Sequence, residues 1–414
     1  MKRKNISLLL LVAILLLGTL SACGGGRQTG GNATPAAPAA SDAPEAQSSQ
    51  QAPAQPSQSA ESIKIGYVGS ITGEGAMMGE YELKGIRMAV DEINSAGGIN
   101  GVPLEIIEED AAGTNSGAVL ATQKITRRDD VVAIIGLVRS PFIMAASEYI
   151  QEAKIPTITG ASALQVTRHG NPYIFRDRAH DGDVTGVAVK FAVENLKAEK
   201  IAILHDTDVF GTGGYDNLKI NMEKYGIEPV IAQGYQTGTK DWTPQLLNIK
   251  QSGADVIIGW GSNSQENAVI LRQIKQMGLD VKFIGSPAYG TTVLLDAAGE
   301  YAEGLYAIND WSVSLQNEKS LNWVEAFNER YGHDPDWAAV SAYDGLYILA
   351  NAIKVAGPDR EAIADAIRAT SDLEGIQGMY NFNGSGDGNH QMVISQVVDG
   401  KFVVVDRITV DIEG

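Results

Sequence analysis

From Ser62 to Ile284, short runs rich in Val and Ile alternate with longer segments whose apolar residues recur every three or four positions. No other feature of the chain limits its fold as much. Ile63 to Val68 alternates as a strand does; Leu83, Ile86, Val90 and Ile93 then return at helical spacing until Gly97-Gly98 stops the helix. Val102 to Ile107 reads as a strand, Ser116 to Arg127 as a helix, Val131 to Leu137 as a buried strand, Pro141 to Gln151 as a helix and Ile155 to Thr159 as a strand. Successive strands joined by helices of this length run parallel, because an antiparallel pair needs only a short turn. The expected class is α/β.

The rhythm restarts after Asp181. Helices are expected at Val184 to Leu196, around Tyr215 to Tyr225, at Trp242 to Gln251 and at Glu266 to Met277. The strands between and after them are Ile201 to His205, Pro229 to Gln233, Val256 to Trp260 and Val281 to Ile284. Two such arrays without a long linker imply two Rossmann-like lobes, and 414 residues exceed one ordinary domain. Helices at Leu321 to Tyr331, Val340 to Val355 and Glu361 to Ala369 follow, then a hairpin of Gln391 to Val397 and Phe402 to Ile408 turning at Asp399-Gly400.

The first 60 residues do not belong to this pattern. Lys2, Arg3 and Lys4 precede an apolar run from Ile6 to Leu20, and Leu20-Ser21-Ala22-Cys23 closes it with small residues and the chain's single cysteine. That is the layout of a signal peptide over residues 1–22; an uncleaved anchor is the other reading, since about 17 apolar residues can just span a bilayer. Gly24 to Ala60 contains no Ile, Leu, Val, Met or aromatic residue, so it cannot offset its ordering entropy and reads as a flexible tether reaching roughly 30–40 Å. Without residues 1–22 the chain carries 29 basic against 50 acidic residues, a net charge of −21, which disfavours nucleic acid and anionic lipid headgroups as partners.

Several segments match a family pattern beyond their periodicity: Ile65-Gly66-Tyr67-Val68-Gly69-Ser70-Ile71-Thr72-Gly73, Gly97-Gly98-Ile99-Asn100-Gly101, Ile134-Ile135-Gly136, Tyr173-Ile174-Phe175-Arg176 and Ala342-Tyr343-Asp344. Their order and spacing from Ser62 to Ile408 resembles the branched-chain amino-acid binding proteins of ABC importers, and Leu20 to Cys23 resembles the lipobox of bacterial lipoproteins. The resemblance implies the type I periplasmic-binding-protein fold, two lobes joined by a three-crossing hinge. Lobe I would comprise 62–181 plus 311–388 and lobe II 182–310 plus 389–414, with crossings near Asp181, Asp310 and Gly388. It further implies export, lipidation of Cys23, an ABC permease as partner, no cofactor, and a bound amino acid or small carboxylate.

Open α/β sheets bind ligands at the carboxyl ends of their strands. Ser140 lies there, ahead of Pro141, and reads either as a helix N-cap or as a hydroxyl holding a ligand carboxylate at the positive helix end. The family's carboxylate-binding serine aligns with it. By the same resemblance Ala161 would offer its carbonyl and Ala163 its N–H, although amino-acid binders of the family usually carry a hydroxyl at the latter position. The family's acidic partner for the ligand ammonium falls at about Pro287, which cannot serve; Asp206 or Glu266 are the possible substitutes. Phe210, Trp260 and Tyr289 sit at second-lobe strand ends and are expected to face the ligand, Phe210 aligning with a family tyrosine. Arg139 and Arg178 are open to two readings, a bidentate grip on a second carboxylate or surface salt bridges. Met78 or Tyr81 is expected to close over the ligand.

Other chemistries find no support. Gly73 to Gly79 is one residue too long for a dinucleotide fingerprint and reads as a glycine turn. His169, His180, His205, His333 and His390 have no metal-ligand spacing, and Asn381 to Asp387 lacks the acid spacing of a calcium loop. With no nucleophile–base motif, the chain is not expected to be an enzyme. A ligand-sensing subunit of a membrane receptor would use the same fold and is the alternative to transport; a binder of aromatic acids is the alternative to an amino-acid binder.

Overall fold

The computed structural model describes residues 62–409 except 316, 389 and 390. Cys23, the signal segment 1–22, the tether 23–60, His390 and the last residues assigned to lobe II lie outside the described residues.

The first sheet contains β1 (Ile63–Gly69), β2 (Leu104–Asp110), β3 (Val131–Gly136), β4 (Thr157–Thr159) and β5 (Ile174–Arg176), in the order β2-β1-β3-β4-β5 and parallel throughout. The second contains β6 (Ile201–Asp206), β7 (Ile231–Tyr235), β8 (Val256–Trp260), β9 (Lys282–Gly285) and β10 (Tyr306–Asn309). A small antiparallel pair, β11 (Leu373–Glu374) and β12 (Met379–Tyr380), precedes the closing hairpin of β13 (Gln391–Val398) and β14 (Lys401–Thr409). The second sheet runs β14-β13-β10-β9-β8-β6-β7, parallel from β7 to β10 and antiparallel beyond.

Period-two alternation sends each sheet's side chains into two cores. In β3, past the register shift that follows Val131, Ile134 packs with Ile125, Phe142 and Ile143, while Ala133 and Ile135 pack on the other face with Ile86, Leu346 and Leu349. Both faces are therefore covered by helices, which is why these strands are continuously apolar. In the second sheet Ala202, Leu204 and Ile257 serve one core and Ile203, Ile258 and Trp260 the other.

After β10 the chain returns to the first sheet. Helix Trp337–Ala356 packs along helix Ala76–Ser95. Gly85 permits the approach: a Cβ there would lie 2.0 Å from the Ala339 carbonyl oxygen. Two buried carboxylates tie the passages between the sheets. Asp310 accepts the Ala179 N–H at 2.7 Å and pairs with Arg178 at 2.5 Å; Asp387 pairs with Arg176 at 2.9 Å and Arg168 at 2.7 Å, and accepts the Thr167 hydroxyl.

Observed ends fall within a few residues of most expected ones. β5, β10 and helix Thr292–Ala298 do not appear in the sequence pattern, since three to seven residues are too few to establish a period. The helix expected from Val184 begins at Asp181 and passes into a π-helical turn at Phe191–Asn195.

Candidate functional site

The carboxyl ends of the two sheets face each other across a cleft formed by two adjoining cavities of about 550 and 380 Å³, which share Met78, Val138, Arg139 and Ser262. The first sheet contributes the turns after β1, β3 and β4. The second contributes Ser262 to Gln265 after β8 and Pro287-Ala288 after β9.

At the end of β3, Leu137 takes a left-handed backbone (φ 52°), which turns Val138 to Ser140 toward the cleft. Arg139, not Ser140, occupies the N-cap position of helix Ser140–Glu152, and its side chain makes no cap bond. Ser140 is the first helical residue, 3% exposed, and its hydroxyl oxygen accepts the Ala163 N–H at 3.2 Å while lining the smaller cavity. The N-cap reading of Ser140 is thereby corrected.

Arg139 and Arg178 both line the cleft; the ion pair of Arg178 is buried, whereas that of Arg139 is made with an exposed carboxylate. The Arg139 guanidinium lies 4.9 Å from the Phe142 ring and pairs with Glu74 at 3.0 Å. Glu74 also accepts the Asn263 amide at 3.0 Å, so one carboxylate of the first lobe joins a cleft arginine to the second lobe. Arg178 is 1% exposed, pairs with Asp310 and stacks 4.0 Å from the Trp337 ring.

The three aromatics do not act alike. Phe210 lines the cleft from the first turn of helix Val209–Glu223. Trp260 lies behind it, fully buried, stacked at 6.0 Å and pressed onto Gly214, where a Cβ would meet the indole at 2.0 Å. Tyr289 is also fully buried, 5.0 Å from Phe283. Pleat alternation carries Trp260 under the helix, so the strand-end position that suggested ligand contact puts it in the core. Ala161 and Ala163 are likewise behind the cleft: both carbonyls accept from Arg176, and the Ala163 N–H serves Ser140. Their neighbours Gly160 and Ser162 line it instead. Met78 borders both cavities, whereas Tyr81 borders neither and packs with Phe327 and His333.

Pro287 borders the cleft, but its proposed substitutes do not. Asp206 accepts the Ser262 N–H at 2.8 Å, and burial pushes its carboxyl well above the usual range, with Asp208 adding to the rise. Glu266 accepts the Gly238 N–H at 2.7 Å. Among the described residues, the carboxylates lining the cleft are Glu74 and Glu82, both from the first lobe. Burial pushes Glu82 up to about 8, so it is largely a neutral acid at pH 7; the Tyr67 hydroxyl donates to it at 3.1 Å. Sequence reasoning missed Glu74, Glu82, Asn263 and Trp337. Asn263 had a legible signal, a capping residue ahead of a helix, and it accepts the N–H groups of Gln265 and Glu266.

Among the described residues no group of three His, Cys, Asp or Glu is placed to hold a metal ion. In the turn Asn381 to Asp387, Asn383 accepts the N–H groups of Ser385 and Asp387, and the Asp387 carboxylate is taken by arginines.

A family model described as periplasmic binding protein matches residues 62–401. The leucine-, isoleucine-, valine-, threonine- and alanine-binding protein of Pseudomonas aeruginosa is 32% identical over 329 residues, covering 79% of this chain and 87% of that protein. The branched-chain amino acid transporter substrate-binding protein of Streptococcus pneumoniae, solved with isoleucine, superposes with a TM-score of 0.78 at 27% identity, covering 84% of this chain and 99% of that one. A solute-binding protein of an ABC transporter from R. palustris, solved with benzoate, shares the fold at a TM-score of 0.77 and 20% identity, over 84% of this chain and 96% of that one.

Proposed function

We propose that this chain, which belongs to the periplasmic binding protein family, captures a small carboxylate-bearing solute between its lobes and delivers it to the permease of an ABC importer. The observation that carries this reading is the cleft itself. The Ser140 hydroxyl, at the start of a helix, and the arginines Arg139 and Arg178 gather on one side of an apolar chamber lined by Met78, Val138, Phe210 and Trp337. A helix start and guanidinium groups favour a carboxylate, and the apolar wall favours a hydrophobic remainder. A hydrophobic amino acid fits these features, in keeping with what the P. aeruginosa relative is named for.

The mechanism follows from the division of the walls. A solute bound to the first lobe is met by Ser262 to Gln265 and Pro287-Ala288 of the second, and contacts made only with the lobes together shift the population toward closure. The lobe limits given above and a lipid at Cys23 belong to the same proposal: the tether would hold the binder beside its permease outside the cytoplasmic membrane.

One observation favours a second reading. By the family resemblance the acidic partner of an α-ammonium group would fall at about Pro287, and among the described residues no second-lobe carboxylate lines the cleft. An aromatic acid without an amino group would not need one. Thermal-shift titration with leucine, isoleucine, valine and benzoate tests both, because a bound ligand raises the apparent stability. Stabilisation by the amino acids supports the first reading and by benzoate alone the second; with neither, the carboxylate assignment falls.

A further inference from the structure

On the hinge side of Trp337 lies a separate cavity of about 1050 Å³ that the cleft mechanism does not use. It is bounded by Gly290 to Asp296 of the second lobe, the passage Asn309 to Ser314, the segment Asp334 to Trp337 of the first lobe and the tip of the closing hairpin at Gly400 to Phe402. Trp337 borders this cavity and the cleft alike, so its indole forms part of the wall between them.

The lining is chemically biased. Asp296, Asp334 and Asp336 contribute three carboxyl groups against the single ammonium of Lys401, and Trp311, Trp337 and Phe402 provide aromatic surface. Asn309 adds an independent observation. It is 5% exposed, its amide nitrogen donates to the Gly290 carbonyl at 2.9 Å, and its side-chain oxygen, buried in the cavity wall, has no hydrogen-bond partner. Gly290 makes this placement possible, since a Cβ there would fall 1.8 Å from the Asn309 amide nitrogen. A buried acceptor without a donor is costly unless something fills the site. Acceptors, net negative charge and aromatic faces together select a ligand that donates hydrogen bonds and carries positive charge.

We propose that the hinge-side cavity is a second ligand site, distinct from the interlobe cleft, and that it takes a small organic cation of the alkylamine class. An ammonium group donates to the Asn309 oxygen and the Asp336 carboxylate, and the alkyl portion lies against the indoles. Asp336 already accepts the Ala338 N–H at 2.7 Å and caps helix Trp337–Ala356, so its position is held without the ligand. Asp296 and Asp334 are exposed and supply long-range attraction at the mouth. Because both lobes line the cavity, an occupant would bias the same opening and closing motion as a cleft ligand.

The test is isothermal titration calorimetry of the full chain with 1,4-diaminobutane, in parallel with the double variant Asp296→Asn/Asp334→Asn and with Phe210→Ala. The expected result is saturable binding to the wild type, weakened about threefold or more in the double variant at low ionic strength, as the loss of two attracting charges at the mouth requires. Phe210→Ala should leave it unchanged. The double variant changes two exposed side chains, and its thermal unfolding should match the wild type. No heat of binding up to millimolar diamine overturns the proposal, and so does binding indifferent to the double variant or abolished by Phe210→Ala. None of these outcomes depends on which solute the cleft holds.

Discussion

Replacing Asp310 by Asn probes the joint between the lobes. Asp310 is 2% exposed, one carboxylate oxygen accepts the Ala179 N–H at 2.7 Å, and the other lies 2.5 Å from the guanidinium of Arg178, itself 1% exposed. Asn preserves the shape and the bond from Ala179 but presents an amide to a buried cation. Removing one partner of a buried pair typically costs about 3–5 kcal/mol. Here Asp177 moderates the loss. Burial holds its carboxyl up at about 7, Arg178 pulls it down and Asp310 pushes it up, so without Asp310 it ionises more readily and partly replaces the missing charge. The expected destabilisation is therefore near the lower bound, about 3 kcal/mol. Urea unfolding of the full chain at pH 7 measures it, with coincident near- and far-ultraviolet transitions confirming that one cooperative step is being read. A loss below about 1 kcal/mol, the range of exposed pairs, would refute the argument that this ion pair holds the hinge.

Three further outcomes are expected. Ser140→Ala should weaken a carboxylate ligand by about 1–3 kcal/mol, the worth of a hydrogen bond to a charge, as measured by calorimetry with whichever probe the thermal-shift series identifies. Glu82 is held by burial at about 8, above its ordinary value, so the folded state keeps a proton that the unfolded chain releases. Stability attributable to it then falls as pH rises from about 4.5 to 8. Glu82→Gln should flatten that part of the denaturation profile by about 1 kcal/mol or more, and an unchanged slope would count against a buried neutral acid. Cys23→Ser should move the protein from the membrane to the soluble fraction with ligand affinity intact; retention at the membrane would favour an uncleaved anchor.

The legible part of the fold is the part made of repeating apolar residues. β1, β3, β6 and β8 are runs of Val and Ile long enough to show themselves, and the helices between them carry a stripe facing the sheet. Locating strand ends then located Arg139 and Ser140 in the cleft. Which way a side chain leaves its strand end was harder to read: Trp260 and Tyr289 went wholly into the core, while Phe210, buried beside Trp260, still lines the cleft. Least visible were contacts that exist only after folding. Glu74 and Asn263 are 189 positions apart, and neither residue type at its own position announces the bridge. The same holds for Trp337, which becomes a partition only when the segment after β10 returns to the first lobe.

That return sets a timetable for folding. Helix Ala76–Ser95 completes its packing on helix Trp337–Ala356, so the first lobe cannot close its core until nearly the whole chain has been synthesised. The second sheet waits longer still, for β13 and β14 at its far edge. Contacts of such long sequence separation slow folding, because chain ordering comes before the contacts that reward it. A nascent chain built this way completes neither core until its last residues are made, which lengthens the interval in which a polypeptide can be threaded across a membrane.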